Sequence, residues 1–425
     1  MAGERGNAVL VENLFRQESG RLLAALTRIL GMHNLAMAED LVQETLITAL
    51  EVWKFGRVPE NPTGWLVRCA RNRAIDAIRR ERVRRRFADD VAPLLDSEWT
   101  LVPTFDHLFS EQEIADGQLR MMFACCSDKL SGPVQVALIL KILCGFSIHE
   151  IAAAHFTSAA AVEKQIVRAK RVLQEEGELA EIDAAAIRRR LETVQQALYL
   201  LFNEGYHTTD ARRSLPTRQE LTAEALRLTE LLAEHPVAGT PQSQALHALI
   251  CLHAARLAAR VDDAGQLVLL EEQDRTLWDR PLIERGLEWL DRSSTGDALS
   301  EYHLEAAIAA EHCIAARFED THWSRIVGLY DALLALRGTP VVALNRAIAV
   351  GRARGPAEGL QALAAIDNID RLADYPFLYA ARADLLSRAG DREGARRELR
   401  HALELARHSA DSLLLEKKLS ALGSP

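Results

Sequence analysis

Apolar positions recur along this chain with a spacing of three to four residues over most of its length. In residues 7–30, Leu22, Leu23, Leu26, Ile29 and Leu30 fall on one face, which predicts a helix broken at Gly31. The stretch 38–53 repeats the pattern, with Leu41 or Val42, Leu46, Ala49 or Leu50, and Trp53 inward. From Asn61 onward Leu66, Ala70, Ala74 and Ile78 return every fourth residue, with Asn61 as candidate N-cap and Pro62 at the first helical position, where a missing N–H costs nothing. Pro133 opens an apolar helix through Leu143 that Gly145 stops, and Ser147 with Glu150 spells a capping box for a short helix carrying Ile151 and Ala152 inward. Thr157 or Ser158 caps one more helix to Leu173, with Val162, Ile166, Ala169 and Leu173 as its buried stripe. A short helix, a turn and a second helix with a basic outer face predict a helix-turn-helix. Alternating strand patterns are scarce, so the expected fold class is all-α.

From about Leu191 the pattern changes to helical hairpins. The clearest unit runs from Phe377 through a Gly390-Asp391 turn to Ala395, Leu399, Ala402 and Leu403, with alanine where two helices cross closely. A looser copy, Val342–Val350, a Gly355-Pro356 turn and Leu360–Leu363, precedes it. Residues 222–260 and 301–336 are helical but carry no clear repeat.

Charge divides the chain further. Arg68–Arg86 holds nine arginines against Asp76 and Glu81, a net +7 in a chain of net charge −9. A basic helix in an acidic protein points to a polyanion partner, because arginine releases the counterions of phosphates; a solvated arginine-rich helix has the same composition. Residues 87–119 then carry eight acids and no Lys or Arg, interrupted by Pro93 and Pro103, and read as an acidic linker. Its charge suits it to occupy a groove built for nucleic acid.

Other chemistry is sparse. No apolar run approaches the roughly 20 residues needed to span a bilayer, and the N-terminus has no apolar signal core, so the expectation is a cytoplasmic protein without a membrane partner. The six cysteines fit no disulfide framework or CxxC spacing, and adjacent Cys125 and Cys126 read as small helical residues rather than a redox pair. His149 and His155 near Cys144 lack a fourth ligand, so no metal and no cofactor are expected.

Three quoted motifs in order carry a family resemblance. Ala38–Glu44, Trp65–Arg80, and Gly145–Ala152 with Val162–Lys170 resemble regions 2.2, 2.3–2.4 and 4.2 of the extracytoplasmic-function (group 4) sigma factors of bacterial RNA polymerase. Leu198–Tyr206, Leu269–Arg275, Trp278–Arg280 and Ala343–Ala347 resemble the subgroup with a C-terminal tetratricopeptide-like extension. Phe156 stands where the turn commonly has Gly, and Ser158 where Pro often precedes the recognition helix.

The resemblance implies a region 2 bundle over 1–86, an acidic linker over 87–118, a region 4 helix-turn-helix over 119–176, a connector helix over 177–198 and a tetratricopeptide-like solenoid over 199–425. It implies that Asp40, Gln43 and Glu44 contact core polymerase (β and β′ subunits). Arg71, Asn72, Arg73, Asp76, Arg79 and Arg80, with the 56–64 loop, would hold the melted −10 strand, and Lys164, Gln165, Arg168 and Arg171 would enter the −35 major groove. Promoter DNA is the second partner, and residues 199–425 would bind a regulatory protein or the sigma part itself. No catalytic residue is implied, since polymerase performs the chemistry. Two other readings remain: a DNA-binding regulator that never joins polymerase, and an enzyme in the C-terminal region using Glu204, Tyr206 and His207 or Glu271 and Glu272.

Overall fold

A computed structural model of the chain describes residues 2–55, 58–81, 109, 111–154, 158–176, 184–206, 215–262, 266–296, 298–406 and 409–423. Among them there is no β-strand, only an isolated antiparallel bridge between Val261 and Leu267, so the fold is all-α as expected. The chain forms two compact units, residues 1–201 with 234–238, and 202–233 with 239–425.

The first unit holds α1 (Ala2–Leu30), α2 (Leu35–Phe55), α3 (Pro62–Glu81), α4 (Glu111–Cys125), α5 (Gly132–Ile142), α6 (Ile148–Ala154), α7 (Ala159–Glu176) and most of α8 (Ala184–Tyr206). Helix α1 is its axis, packing against α2, α3 and α4. Its face of Leu22, Leu26, Ile29 and Leu30 is fully buried, and so are Leu66, Ala70 and Ala74 of α3. A buried leucine of this kind contributes about 1.5–3 kcal/mol. Trp53 closes the bundle, its ring 5.5 Å from both Phe15 and Trp65. Gly31 turns the chain between α1 and α2 at φ 82°, a conformation that favours glycine. Asn61 caps α3, accepting the Gly64 N–H at 2.8 Å.

The structure moves several boundaries. Helix α1 begins at Ala2 rather than residue 7, and α2 spans Leu35–Phe55. Ala49 faces the core while Leu50 is exposed. The acidic linker does not reach 118: Glu111–Cys125 is helix α4, in which Ile114, Gly117, Gln118 and Met121 form a buried stripe and Glu113 pairs with Arg28 of α1. Eight acids in 33 residues concealed that stripe. The remainder of the linker apart from Phe109, with Arg82–Arg86, lies outside the described residues. Helix α8 also runs through the 198/199 boundary without a break.

The second unit contains α9 (Leu215–Glu234), α10 (Pro241–Ala254), α11 (Arg280–Ser293), α12 (Glu301–Ile314), α13 (Trp323–Leu336), α14 (Pro340–Arg354), α15 (Pro356–Ala364), α16 (Pro376–Arg388), α17 (Arg392–Leu405) and α18 (Ser409–Ala421). Helices α14 and α15, then α16 and α17, are the two hairpins legible in sequence. Gly390 turns at φ 92° and Asp391 caps α17 by accepting the Gly394 N–H at 2.8 Å. Ala395 and Ala402 are fully buried at the crossing. Between α10 and α11 the chain leaves regular helix, and Glu271 and Glu272 tie this segment to α14 through Arg352 at 2.7 Å and to α18 through Lys417 at 2.6 Å.

Candidate nucleic-acid interface

Helix α3 turns one stripe inward and leaves the rest of its circumference to polar residues. Arg68, Asn72 and Asp76 are exposed; Arg71 and Arg73 are half-buried. Arg79 and Arg80 continue the helix, with side chains outside the described residues. Arg73 points to α2, donating to the Glu44 carboxylate at 2.7 Å and to the Thr48 hydroxyl at 2.5 Å. Asp40, Gln43 and Glu44 lie exposed on α2. The acidic and basic surfaces therefore adjoin, and Glu44 and Arg73 are partners of one another.

The helix-turn-helix elements follow the local chemistry of the sequence. Ser147 and Glu150 form the reciprocal box, the Ser147 N–H donating to Glu150 at 2.8 Å and the Glu150 N–H to the Ser147 hydroxyl at 3.2 Å. Ser158 caps the head of α7, its hydroxyl accepting the Ala161 N–H at 3.2 Å. Residues 155–157, with Phe156 and His155, lie outside the described residues. Along α7, Val162, Ile166, Ala169 and Leu173 are buried, whereas Lys164, Gln165, Arg168 and Arg171 are all exposed. Three of these four are basic, spaced i, i+4 and i+7, and form a continuous stripe.

A contact that the sequence does not announce joins the two halves of this unit. Lys170 of α7 donates to Glu39 of α2, across 131 positions of chain. Glu39 and Gln43 line a groove that Lys141, Ser147 and Glu150 complete from the other side. Burial holds the Lys141 ammonium below its ordinary lysine value, and neighbouring Lys170 lowers it further. Behind this surface Cys125 and Cys126 are buried thiols; burial pushes Cys126 up to about 12 and Cys125 also upward, so both are protonated and unreactive as nucleophiles at neutral pH.

Of the residues of the enzyme reading, Tyr206, Glu271 and Glu272 have described side chains. Glu271 and Glu272 are spent on their ion pairs, and Tyr206 is buried against Arg256 at 2.9 Å. The Glu204 side chain and His207 lie outside the described residues. Among the described residues no three His, Cys, Asp or Glu side chains are placed to hold a metal ion, and no helix is long and apolar enough to cross a membrane.

Residues 14–84, which cover α3, α2 and the described core face of α1, match the family Sigma-70 region 2. By that match, residues 14–84 are similar to the region 2 of sigma-70 factors. Residues 190–294 match a family of unknown function, DUF6596. The chain is 36% identical over 395 residues to the uncharacterized protein R00370 of Rhizobium meliloti (strain 1021), spanning 92% of this chain and 91% of that one, and it belongs to the same family. No solved structure matches it.

Proposed function

We propose that this chain is a group 4 sigma factor that joins core RNA polymerase, recognises −10 and −35 promoter elements and starts transcription, with a C-terminal helical-hairpin module, tetratricopeptide-like in its hairpins, that regulates it. The observation that carries the reading is the region 2 match over 14–84, which falls on a bundle whose α2 exposes acids and whose α3 exposes polar and basic residues. In this reading Asp40 and Gln43 of α2 meet the polymerase clamp, with Glu44 at the border where it steadies Arg73. Arg71, Asn72, Arg73, Asp76, Arg79 and Arg80 engage the unpaired −10 strand, arginines on phosphate and the shorter polar groups on base edges. The exposed stripe Lys164, Gln165, Arg168 and Arg171 enters the −35 major groove, where Arg or Lys pairs with guanine and Gln with adenine. The caps at Ser147 with Glu150 and at Ser158, with the buried face of Val162, Ile166, Ala169 and Leu173, serve to present that stripe. Residues 199–425 bind a regulatory protein or the sigma part.

The test is run-off transcription with purified core polymerase on promoters recovered by chromatin pull-down. Promoter-specific transcript that requires the chain supports the reading. Duplex binding by the chain alone, with no association with core and no transcript, would instead make it a regulator acting apart from polymerase. Deleting residues 199–425 is expected to change promoter-specific output; an unchanged output would remove the regulatory role of the second unit.

A further inference from the structure

The second unit contains a cavity of about 880 Å³, a size suited to a small organic molecule, lined among others by Tyr206, Arg256, Arg260, Leu267, Phe377 and Leu414. Its polar end is unusual in its charge. Arg256 is 6% exposed, and its hydrogen-bond partners are neutral or shared: the Tyr206 phenol at 2.9 Å and His253 Nδ1 at 2.9 Å. Its Nε is buried with no acceptor. Arg260 stacks its guanidinium 3.7 Å from the centre of the Tyr206 ring. Among the described residues neither arginine forms an ion pair with a carboxylate. Asp374 and Asp411 also line the cavity.

Two guanidinium groups gathered on one tyrosine, one of them buried, repel each other and lose hydration, a cost that an anion bound beside them offsets. Stacking on Tyr206 and on Trp278, whose ring centre is 5.8 Å from the Arg256 guanidinium, holds both planes in fixed orientation without neutralising either. Burial alone would raise the Tyr206 phenol, yet Arg256 and Arg260 together bring it below its ordinary value, which reports the positive field at this end. The rest of the wall is mostly apolar, with Leu267, Leu269, Leu405, Leu414 and Phe377, and also carries Gln273, Asp374 and Asp411.

We infer that this cavity is a binding site for an amphipathic organic acid, its carboxylate or phosphate held by Arg256 and Arg260 beside Tyr206 and its apolar body against the leucines and Phe377. Such a ligand gives the second unit an input of its own. It needs neither polymerase nor promoter, so the inference holds or fails separately from the sigma-factor reading.

The full-length protein is titrated with 1-anilinonaphthalene-8-sulfonate, an aromatic anion whose fluorescence rises in apolar sites, and the bound dye is displaced with octanoate, phenyl phosphate or neutral 1-octanol. Octanoate or phenyl phosphate is expected to displace the dye at concentrations at least about tenfold below 1-octanol. Arg260→Gln, at a half-exposed position, is expected to weaken the better anion about tenfold while leaving the circular-dichroism melt unchanged, and Leu414→Trp is expected to remove dye binding by filling the cavity. Displacement by 1-octanol as effective as by both anions, anion affinity unchanged in Arg260→Gln, or no dye binding to the wild-type chain would overturn the inference.

Discussion

Arg73 of α3 reaches across to α2 and holds the Glu44 carboxylate at 2.7 Å, so a residue expected to meet DNA is bonded to one expected to meet polymerase. The sign of the two surfaces explains the pairing: they lie side by side on adjacent helices, and their nearest members neutralise one another. With Glu44 58% exposed and Arg73 29%, the pair contributes at most about 1 kcal/mol to folding. Glu44→Ala is therefore expected to leave the melting temperature within a few degrees of wild type. Its larger effect should be on open-complex formation, because Arg73 loses the anchor that fixes its rotamer. Permanganate footprinting of the melted −10 strand, compared with core binding by fluorescence anisotropy, separates the two. Loss of core binding equal to the loss of melting would assign Glu44 to the polymerase contact alone.

The bond between Lys170 and Glu39 leads to a second expectation. It fastens the helix that carries the −35 stripe to the N-terminal turn of α2, next to Asp40 and Gln43. If polymerase docks on that turn, the bond opposes docking by the free energy needed to open it, about 0.2–1 kcal/mol for a partly exposed pair. Lys170→Ala should then tighten core binding by roughly 1.4- to fivefold in the absence of DNA. Unchanged or weaker core binding would mean that the pair survives docking.

Most of the fold of both units is legible in the pattern of apolar residues, because a helix that buries one face must repeat that face every three to four residues. The caps at Asn61 and at Ser147 with Glu150 were equally visible, since a cap depends on residues within three positions of each other. Helix α4 was missed because its buried stripe of Ile114, Gly117, Gln118 and Met121 includes a glycine and a glutamine, which read as linker residues beside so many acids. The pairs Arg73–Glu44 and Lys170–Glu39 were not legible at all: each joins residues at least 29 positions apart, and nothing local in either segment marks the partner. The same holds for Arg256 and Arg260, whose cavity includes Phe377 and Leu414, more than 100 positions away in sequence.

The hairpin α14–α15 rests on two glycines. A Cβ placed on Gly359 would stand 2.7 Å from the Gly351 Cα and 2.7 Å from Leu385 Cδ2, so the two helices approach more closely than any side chain permits. Leu385 has rotamers to give, but the Gly351 backbone does not. Gly359→Ala is expected to destabilise the second unit by about 1–3 kcal/mol. Gly328→Ala is the control: its Cβ would meet nothing within 4 Å inside helix α13, and the change should stabilise by about 0.5–1 kcal/mol through helix propensity. Urea melts of the two variants check both signs; similar shifts in one direction would refute the close-approach argument.

Acid should unfold the second unit through two histidines. His247 is fully buried, with Nδ1 2.9 Å from the Thr229 hydroxyl and Nε2 3.4 Å from Cys251 Sγ, and its ring meets Trp289 edge-on at 5.2 Å. Burial, then Arg285 and Arg292, lowers it to about 3. His312, packed on Trp323, is lowered to about 3 by burial and then by Arg256 and Arg275. Both are neutral in the folded chain at pH 7 and take up a proton near pH 6.5 once unfolded. The unfolded state thus binds more protons below that pH, so the stability that these residues contribute is whole above about pH 6.5 and is lost as the pH falls toward 3. Each histidine is expected to remove up to about 1.4 kcal/mol per pH unit in that window. Urea melts followed by the fluorescence of Trp278, Trp289 and Trp323 at pH 7.5 and 5.5 should show the loss, and His247→Gln, although less stable at pH 7.5, should lose about half as much on acidification. A slope identical to wild type in that variant would show that His247 is protonated inside the fold and that its buried, neutral state has been misassigned.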